Sequence, residues 1–383
     1  MVRATTDAGT AVGTASDGPD QDRVRTTVTA LLPAHNEEAG LGAAIGSLRR
    51  QTEPPDRIIV VADNCTDRTE QIAQGRGVSV LRTEGNTHKK AGALNQALAR
   101  IDPRLGDDDL VLVMDADSLL DPPFLAAAKR ALTAPDGTRR ARGGQRLGGV
   151  GGTFLGGPGG GLVGVFQRNE YARYARDVRR LQGRALVLTG TASVFPMGVL
   201  REVARARREG RLPDKSGAGA VYDVHVLTED NELSLALMHL GYGILAPGEC
   251  TLETEVMETW GDLARQRSRW KRGALENIVD YGLTRVTAPY WGRQLLSLLG
   301  VLATAAYVAS LGVTAFLGWH VQPFWLAVSL VFVLERVVTV RRRGWQQMLL
   351  AAPLVIEMVY DLFLQVVQAQ AFYQVALRRE KRW

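Results

Sequence analysis

The stretch Leu110-Val-Leu-Val-Met114, followed at once by Asp115-Ala-Asp117, decides the fold of this chain. Five apolar residues in a row are typical of a strand that is buried on both faces. Shorter runs of the same kind precede it and alternate with stretches of helical spacing: strands at 27–33, 57–62 and 78–81, helices at 39–51, 66–74 and 91–99. Strict alternation of strand and helix predicts an α/β fold with a mostly parallel sheet.

Two carboxylates stand where the fourth strand ends. Alternate residues of a strand point to the same side, so Asp115 and Asp117 can aim at one point above the sheet edge. Ligands of parallel sheets bind beyond this edge, and paired hard oxygen atoms suit Mg²⁺ or Mn²⁺ bridging a diphosphate. A solvated turn would also explain an isolated Asp-x-Asp, but the position after the fourth strand favours the metal site.

Composition excludes several classes of protein. The chain has 383 residues and a net charge of +6, and its two cysteines, Cys65 and Cys250, cannot form a disulfide framework or a four-ligand zinc site. Residues 291–383 hold most of the excess of basic over acidic residues, while residues 1–290 are nearly neutral. Because we find no basic stripe with interleaved aromatic residues, we expect no nucleic-acid partner.

The C-terminal part has the pattern of a membrane protein. From Gln294 to Leu334, 41 residues contain no Asp, Glu, Lys or Arg, which predicts two spanning helices at about 295–317 and 324–340. A third apolar stretch, 348–377, carries a polar stripe and has basic clusters on both sides, so either a spanning or an interfacial helix fits. Residues 1–25 predict a disordered tail without signal-peptide features, so we expect the chain to begin in the cytoplasm.

The segment 143–164 contains twelve glycines and matches neither a P-loop nor a dinucleotide fingerprint. A flexible loop is the simplest interpretation of this composition.

Two further groups of polar residues point to chemistry. Asp230, in Thr228-Glu-Asp230, precedes the apolar-periodic stretch 233–240, so it fits either a helix cap or a general base that accepts a proton from a hydroxyl. Gln266, Arg269 and Trp270 share one helix face, which suits a phosphate-bearing sugar. An amphipathic helix with snorkelling arginines at a membrane surface explains the second pattern too, and the two interpretations are compatible.

Together these motifs resemble those of the membrane-embedded family 2 glycosyltransferases. The resemblance covers about residues 27–290 and extends to the polymerising members, such as cellulose, chitin, hyaluronan and poly-N-acetylglucosamine synthases. It depends on the joint order of motifs: Asp63, His88-Lys-Lys90-Ala-Gly-Ala-Leu-Asn95, Asp115 with Asp117, Thr228-Glu-Asp230 and Gln266-x-x-Arg269-Trp270.

The resemblance implies a GT-A catalytic domain at 26–250, interfacial helices at 251–290 and a membrane region at 291–383. It also implies an inverting hexosyl- or N-acetylhexosaminyltransferase, with Asp230 as the base and Asp117, beside Asp115, as the metal ligand. By the same resemblance, the nucleotide sugar would contact Glu37, Asp63, Lys90, Asp115, Gln266 and Arg269, and the acceptor would contact Thr189, Gly190 and Trp270.

The function expected from this resemblance is metal-dependent transfer from a UDP-sugar to a growing polysaccharide at the cytoplasmic face of a bacterial inner membrane. A non-polymerising enzyme that adds one or a few sugars to a lipid-linked acceptor is the first alternative, and a catalytically silent sugar-binding adaptor is the second. Few membrane segments are predicted for a polysaccharide channel, so we expect a homo-oligomer or a separate membrane subunit if the polymer is exported.

Overall fold

A computed structural model describes residues 26–133, 144–317 and 354–377, with a few single positions between 323 and 345. Its main feature is a seven-stranded sheet in the order β3-β2-β1-β4-β8-β6-β9. The strands are β1 (Val28–Ala34), β2 (Arg57–Ala62), β3 (Ser79–Arg82), β4 (Leu110–Met114), β6 (Leu147–Gly151), β8 (Ala192–Pro196) and β9 (Gly243–Leu245). The first four strands are parallel, and only β8 runs antiparallel to its neighbours. The predicted α/β fold with a mostly parallel sheet is confirmed.

A second, three-stranded sheet has the order β5-β10-β7. Its strands are β5 (Leu119–Leu120), β7 (Thr153–Gly156) and β10 (Thr251–Thr254). Because β5 follows β4 within a few residues, this small sheet begins beside the carboxyl end of the large one.

Helices cover both faces of the large sheet. They are α1 (Leu41–Arg49), α2 (Thr69–Gly75), α3 (Lys89–Ile101), α4 (Phe124–Thr133), α5 (Gly161–Arg180), α6 (Met197–Arg208) and α7 (Glu229–His239). One core layer includes Leu41, Ile45 and Phe124 from α1 and α4, while the other includes Leu94 and Leu200 from α3 and α6. The odd and even residues of β4 divide between these layers, which is why its five residues are all apolar.

The glycine-dense segment is not a flexible loop where the structure describes it, and that prediction is wrong. It contains β6, β7 and the start of α5. A Cβ atom on Gly149 would lie 2.6 Å from Leu188, and one on Gly152 would lie 2.3 Å from Leu252. These glycines let strands pack closely, a use that composition alone does not distinguish from flexibility.

In the described part of the chain, three long helices follow β10: α8 (Trp260–Tyr281), α9 (Ala288–Leu317) and α10 (Leu354–Ala376). One described segment, Ala288–Ser310, is long and apolar enough to cross a membrane, and none of it is buried. The predicted span 295–317 falls within α9, whereas the tail 1–25 and nearly all of the span 324–340 lie outside the described residues. α10 covers most of the third stretch and is tied to α8, where Lys271 Nζ donates to Gln368 Oε1 at 2.8 Å.

Candidate active site

A cavity of about 630 Å³ opens where β1, β2 and β4 end. Its lining includes five of the residues that the sequence predicts for the donor side: Glu37, Asp63, Lys90, Asp115 and Asp117. The volume is that of a typical small-molecule site. Parallel strands bring these residues together because their carboxyl ends meet at one edge of the sheet.

Asp63 is nearly buried and forms the fixed wall of this cavity. Its Oδ1 atom accepts hydrogen bonds from Thr83 Oγ1 at 2.7 Å, Asn86 Nδ2 at 2.9 Å and Asn64 Nδ2 at 3.1 Å. Three donors on one oxygen hold the carboxylate in a single orientation, as a binding residue requires.

Lys90 connects the two halves of the site. Its Nζ atom lies 2.5 Å from Asp115 Oδ1, 2.9 Å from the Gly190 carbonyl oxygen and 3.6 Å from Glu229 Oε1. Burial opposes the charged ammonium, but Asp115 and Glu229 outweigh it and raise the pKa of Lys90. Asp115 therefore already has a positive partner.

Asp117 and Glu37 share a more acidic environment. Burial, followed by the charges of Asp115 and Glu255, raises the pKa of Asp117 to about 6. Burial is the main cause that raises the pKa of Glu37 to about 7, and the negative charges of Asp117 and Glu255 add to it. Carboxylates that raise one another's pKa make a site that a cation would stabilise.

Asp115 and Asp117 could bind a divalent ion together with the oxygen atoms of a diphosphate. Among the described residues, no group of three His, Cys, Asp or Glu side chains is arranged to enclose a metal alone. Mg²⁺ and Mn²⁺ are commonly bound by one or two carboxylates together with substrate phosphates, so the donor set of Asp117 with Asp115 is sufficient in kind.

Asp230 lies on the other side of Lys90, in the first turn of α7. Its Oδ2 atom accepts the backbone N–H of Gly190 at 2.8 Å, and its Oδ1 atom accepts that of Asn231 at 2.7 Å. The N-cap of α7 is Thr228, so Asp230 is not the N-cap residue, although its carboxylate accepts one N–H group of the first turn. Burial, followed by the charge of Glu229, raises the pKa of Asp230, which suits a group that accepts a proton near neutral pH.

Gly190 and Thr189, both predicted on the acceptor side, border the same small pocket as Lys90 and Asp230. A Cβ atom on Gly190 would lie 3.1 Å from Lys90 Nζ and 3.2 Å from Asp230 Oδ2. Glycine here lets the backbone contact both charged groups at once.

Aromatic side chains connect α8, through β7, to α5. The Trp270 ring centroid lies 6.5 Å from that of Phe154, and the Phe154 ring stacks on Tyr174 at 5.6 Å. Burial, followed by the charge of Asp230, raises the pKa of Tyr174. We call Phe154, Tyr174 and Trp270 the aromatic wall.

The other two predicted residues of α8 differ in exposure. Arg269 is exposed. The pKa of Lys89, which lines the cavity, is lowered chiefly by burial and secondly by the positive charge of Arg269. Gln266 is half-buried and accepts a hydrogen bond from its neighbour Arg267.

Sequence reasoning missed Glu255, Glu229 as a partner of Lys90, and both Phe154 and Tyr174. Glu255 directly follows β10, so its place after a strand could have drawn attention to it. The pairing of β10 with β7, a hundred residues earlier, was not predictable from local pattern.

Several known proteins of similar sequence are sugar transferases or synthases. The model of the family described as glycosyl transferase family 2 matches residues 29–203. A probable glycosyltransferase of Bacillus subtilis, YdaM, is 28% identical over 64% of this chain and 54% of its own length. The poly-beta-1,6-N-acetyl-D-glucosamine synthase of Staphylococcus epidermidis is 23% identical over 75% of this chain and 66% of its own length. The beta-monoglucosyldiacylglycerol synthase of Synechocystis is 27% identical over 72% of this chain and 53% of its own length. The aligned region therefore spans about half to two thirds of the length of these relatives.

Among solved structures, the mannosyltransferase PcManGT of Pyrobaculum calidifontis, solved in complex with GDP-Man and Mn²⁺, superposes with a TM-score of 0.58. The match covers 94% of this chain and 89% of that one at 17% sequence identity. At this identity the likeness shows a shared fold.

Proposed function

We propose, on the premise that the chain carries a domain of glycosyltransferase family 2, that it transfers a sugar from a nucleotide diphosphate sugar to an acceptor hydroxyl group with inversion. One observation carries the proposal: Lys90 links a carboxylate of the strand-end cavity, Asp115, to the pocket that contains Asp230. A donor site and a candidate base are thus a single lysine side chain apart.

The strand-end cavity is the proposed donor site. Asp63, fixed by three hydrogen bonds, would contact the base of the nucleotide, and Lys90 and Arg269 would offset the charge of the diphosphate. Asp117, beside Asp115, would hold Mg²⁺ or Mn²⁺, which when bound supplies electrostatic stabilisation of the leaving diphosphate. The relative solved with GDP-Man and Mn²⁺ supports a metal-bound nucleotide sugar, although its nucleotide is not the UDP that the motifs suggest.

Asp230 is the proposed base. The acceptor oxygen attacks the anomeric carbon as the bond from that carbon to the phosphate oxygen breaks, and the hydroxyl proton passes to the Asp230 carboxylate. The backbone N–H groups of Gly190 and Asn231 hold that carboxylate in place. Because attack and departure occur on opposite faces of the sugar, the configuration inverts and no covalent intermediate is needed.

The acceptor would lie against the aromatic wall. Ring faces such as that of Trp270 bind the apolar face of a sugar ring, and Trp270 continues into the rings of Phe154 and Tyr174. We propose a growing polysaccharide as the acceptor, because the Staphylococcus relative is a polysaccharide synthase. The exposed apolar helix α9 supports catalysis at a membrane surface, with the catalytic domain on the cytoplasmic side.

A lipid-linked acceptor is the second candidate. It is favoured by the Synechocystis relative, a beta-monoglucosyldiacylglycerol synthase, and by the apolar surface of α9 directly after α8. Product length separates the two candidates, since a lipid enzyme would add one or a few sugars.

The decisive experiment uses membranes that contain the full chain, Mg²⁺ or Mn²⁺, and a panel of UDP- and GDP-sugars. We expect one donor to give nucleotide diphosphate release together with a sugar-containing product, whose size is then measured. Membranes that lack the chain provide the control. If no nucleotide sugar is turned over above that control, the proposed function is wrong.

A further inference from the structure

A buried arginine, Arg267, lies among the motif residues of α8, which are Gln266, Arg269 and Trp270. Arg267 is 2% exposed, although it stands between Gln266 and Arg269 in the chain. Its Nη1 atom donates to Gln266 Oε1 at 2.6 Å, and its Cζ atom lies 4.4 Å from the Trp270 ring centroid. One guanidinium group therefore contacts two of the three side chains to which the proposed function gives donor and acceptor roles.

The same guanidinium is anchored by two other helices. Arg267 Nη2 donates to Glu170 Oε2 of α5 at 2.8 Å, and the Tyr360 hydroxyl group of α10 donates to the same oxygen at 2.5 Å. Tyr360 is 1% exposed, and its ring stacks on Phe166 at 5.0 Å. The orientation of Arg267 thus depends on α5 and α10, which are far from it in sequence.

Stability alone gives little reason for such an arrangement. Burying the Arg267 charge gains little over well-packed apolar side chains, because the guanidinium loses its hydration while the Glu170 side chain stays 30% exposed. Within the described part of the chain, the Nε atom of Arg267 is also buried without a hydrogen-bond partner, which adds a further cost. Lysine could satisfy Glu170, but only the planar guanidinium can also stack on Trp270 and donate to Gln266.

We propose that Arg267 is a positioning residue that, anchored by Glu170 and Tyr360, fixes the orientation of Gln266 and Trp270. The inference rests on the proposed function for the roles of those two side chains. If Arg267 has this role, α10 is part of the scaffold of the site. Catalysis then depends on how α10 packs against α5 and α8.

The kinetic test compares Arg267→Lys with Arg179→Lys, a matched change at an exposed position of α5. We expect Arg267→Lys to lower kcat/KM about 20-fold and Tyr360→Phe, which removes one hydroxyl group, about fivefold. Arg179→Lys and Tyr307→Phe, an exposed tyrosine of α9, should stay within about twofold of the parent chain. Losses that follow a fall in unfolding temperature would indicate a merely structural role and overturn the proposal.

A spectroscopic test does not require turnover. The full chain is labelled with 5-fluorotryptophan in detergent, and the ¹⁹F resonance of Trp270 is assigned by its disappearance in Trp270→Phe. We expect this resonance to shift or broaden in Arg267→Lys and in Tyr360→Phe, and to stay unchanged in Arg179→Lys. An unmoved Trp270 resonance in both variants would overturn the positioning role, even if no donor sugar had been found. Conversely, a moved resonance without turnover would count against the proposed function alone.

Discussion

The strand-end cavity and the helical acceptor side are built in different ways. The cavity is made largely of short turns that follow β1, β2 and β4, so its carboxylates lie within a few positions of a strand end, and Lys90 is added from the first turn of α3. On the acceptor side, helices are joined by buried polar contacts: Arg207 of α6 pairs with Glu232 of α7 at 2.5 Å, and Tyr281 of α8 donates to Glu232 at 2.7 Å. Asn277 of α8 also donates to Asn231, the neighbour of Asp230, at 2.9 Å.

This difference teaches where precision in the site comes from. Backbone geometry alone aims a residue that follows a strand. A residue on a helix can face the reaction centre only if the whole helix is correctly rotated and packed. We therefore expect substitutions in the cavity to act on donor and metal binding, and those among the helices to act on the transfer step.

The largest expected effect comes from Asp230→Asn, which keeps the shape of the side chain and removes the base. We expect transfer to fall about 10³-fold or more, while UDP binding, measured by calorimetry with Mn²⁺, changes less than about threefold. Glu209→Gln, at a surface ion pair, is the matched control. Parent-like transfer by Asp230→Asn would remove this residue from the mechanism.

Gly190→Ala tests the junction of the two regions. The added methyl group would crowd both Lys90 and Asp230, so we expect kcat to fall about 100-fold as their geometry changes. Gly75→Ala is the control, because nothing lies within 4 Å of the position of its Cβ atom. If Gly190→Ala had unchanged kcat, the close contact of Lys90 and Asp230 with this backbone would not matter for transfer.

Measuring how metal binding depends on pH tests the strand-end cavity without involving the acceptor side. The ionised form of Asp117, whose pKa is raised to about 6, is lost as the pH falls through that value, and Glu37, raised to about 7, is protonated even earlier. We expect the apparent affinity for Mn²⁺ with UDP to rise about tenfold from pH 5 to pH 7, with protons released on binding. Calorimetry in buffers of different ionisation enthalpy measures both quantities. A flat profile over this range would contradict an acidic metal site.

Glu255→Gln should have the smallest effect. Removing this charge relieves the repulsion on Asp117 and Glu37, so both pKa values fall and the midpoint of metal binding moves to lower pH by less than about one unit. Glu258→Gln, at a nearby exposed position, should leave the midpoint unchanged. A shift toward higher pH would show that Glu255 acts as a metal ligand and not as a repulsive neighbour.

Prediction from sequence succeeded where the signal was local. The sequence predicts the bounds of β2 and β4 to the residue, because β4 is one uninterrupted apolar run and β2 is apolar after its first residue, Arg57. The strand pattern predicts Asp115 and Asp117 at the sheet edge, the family resemblance adds Glu37 and Asp63, and the structure brings all four around one cavity. The catalytic and binding roles assigned to them stay predictions.

Prediction failed where a pattern has two physical meanings. Glycines in β6 were interpreted as flexibility, but Gly149 lacks a side chain because Leu188 fills the space. Asp230 fits an N-cap in sequence, yet α7 begins at Glu229, and the Asp230 carboxylate accepts the backbone N–H of Gly190. The difference lies in neighbours that are about 40 residues away along the chain.

The sequence by itself determined the parallel sheet, the acidic edge beyond β4 and the apolar character of α9, because apolar periodicity and strand-end position are local properties. Only the tertiary structure decided that Lys90 would join Asp115 to the pocket of Asp230, and that Arg267 would rest on Glu170 and Tyr360. Such contacts join segments that are distant in the chain, and no local pattern specifies which segments will meet.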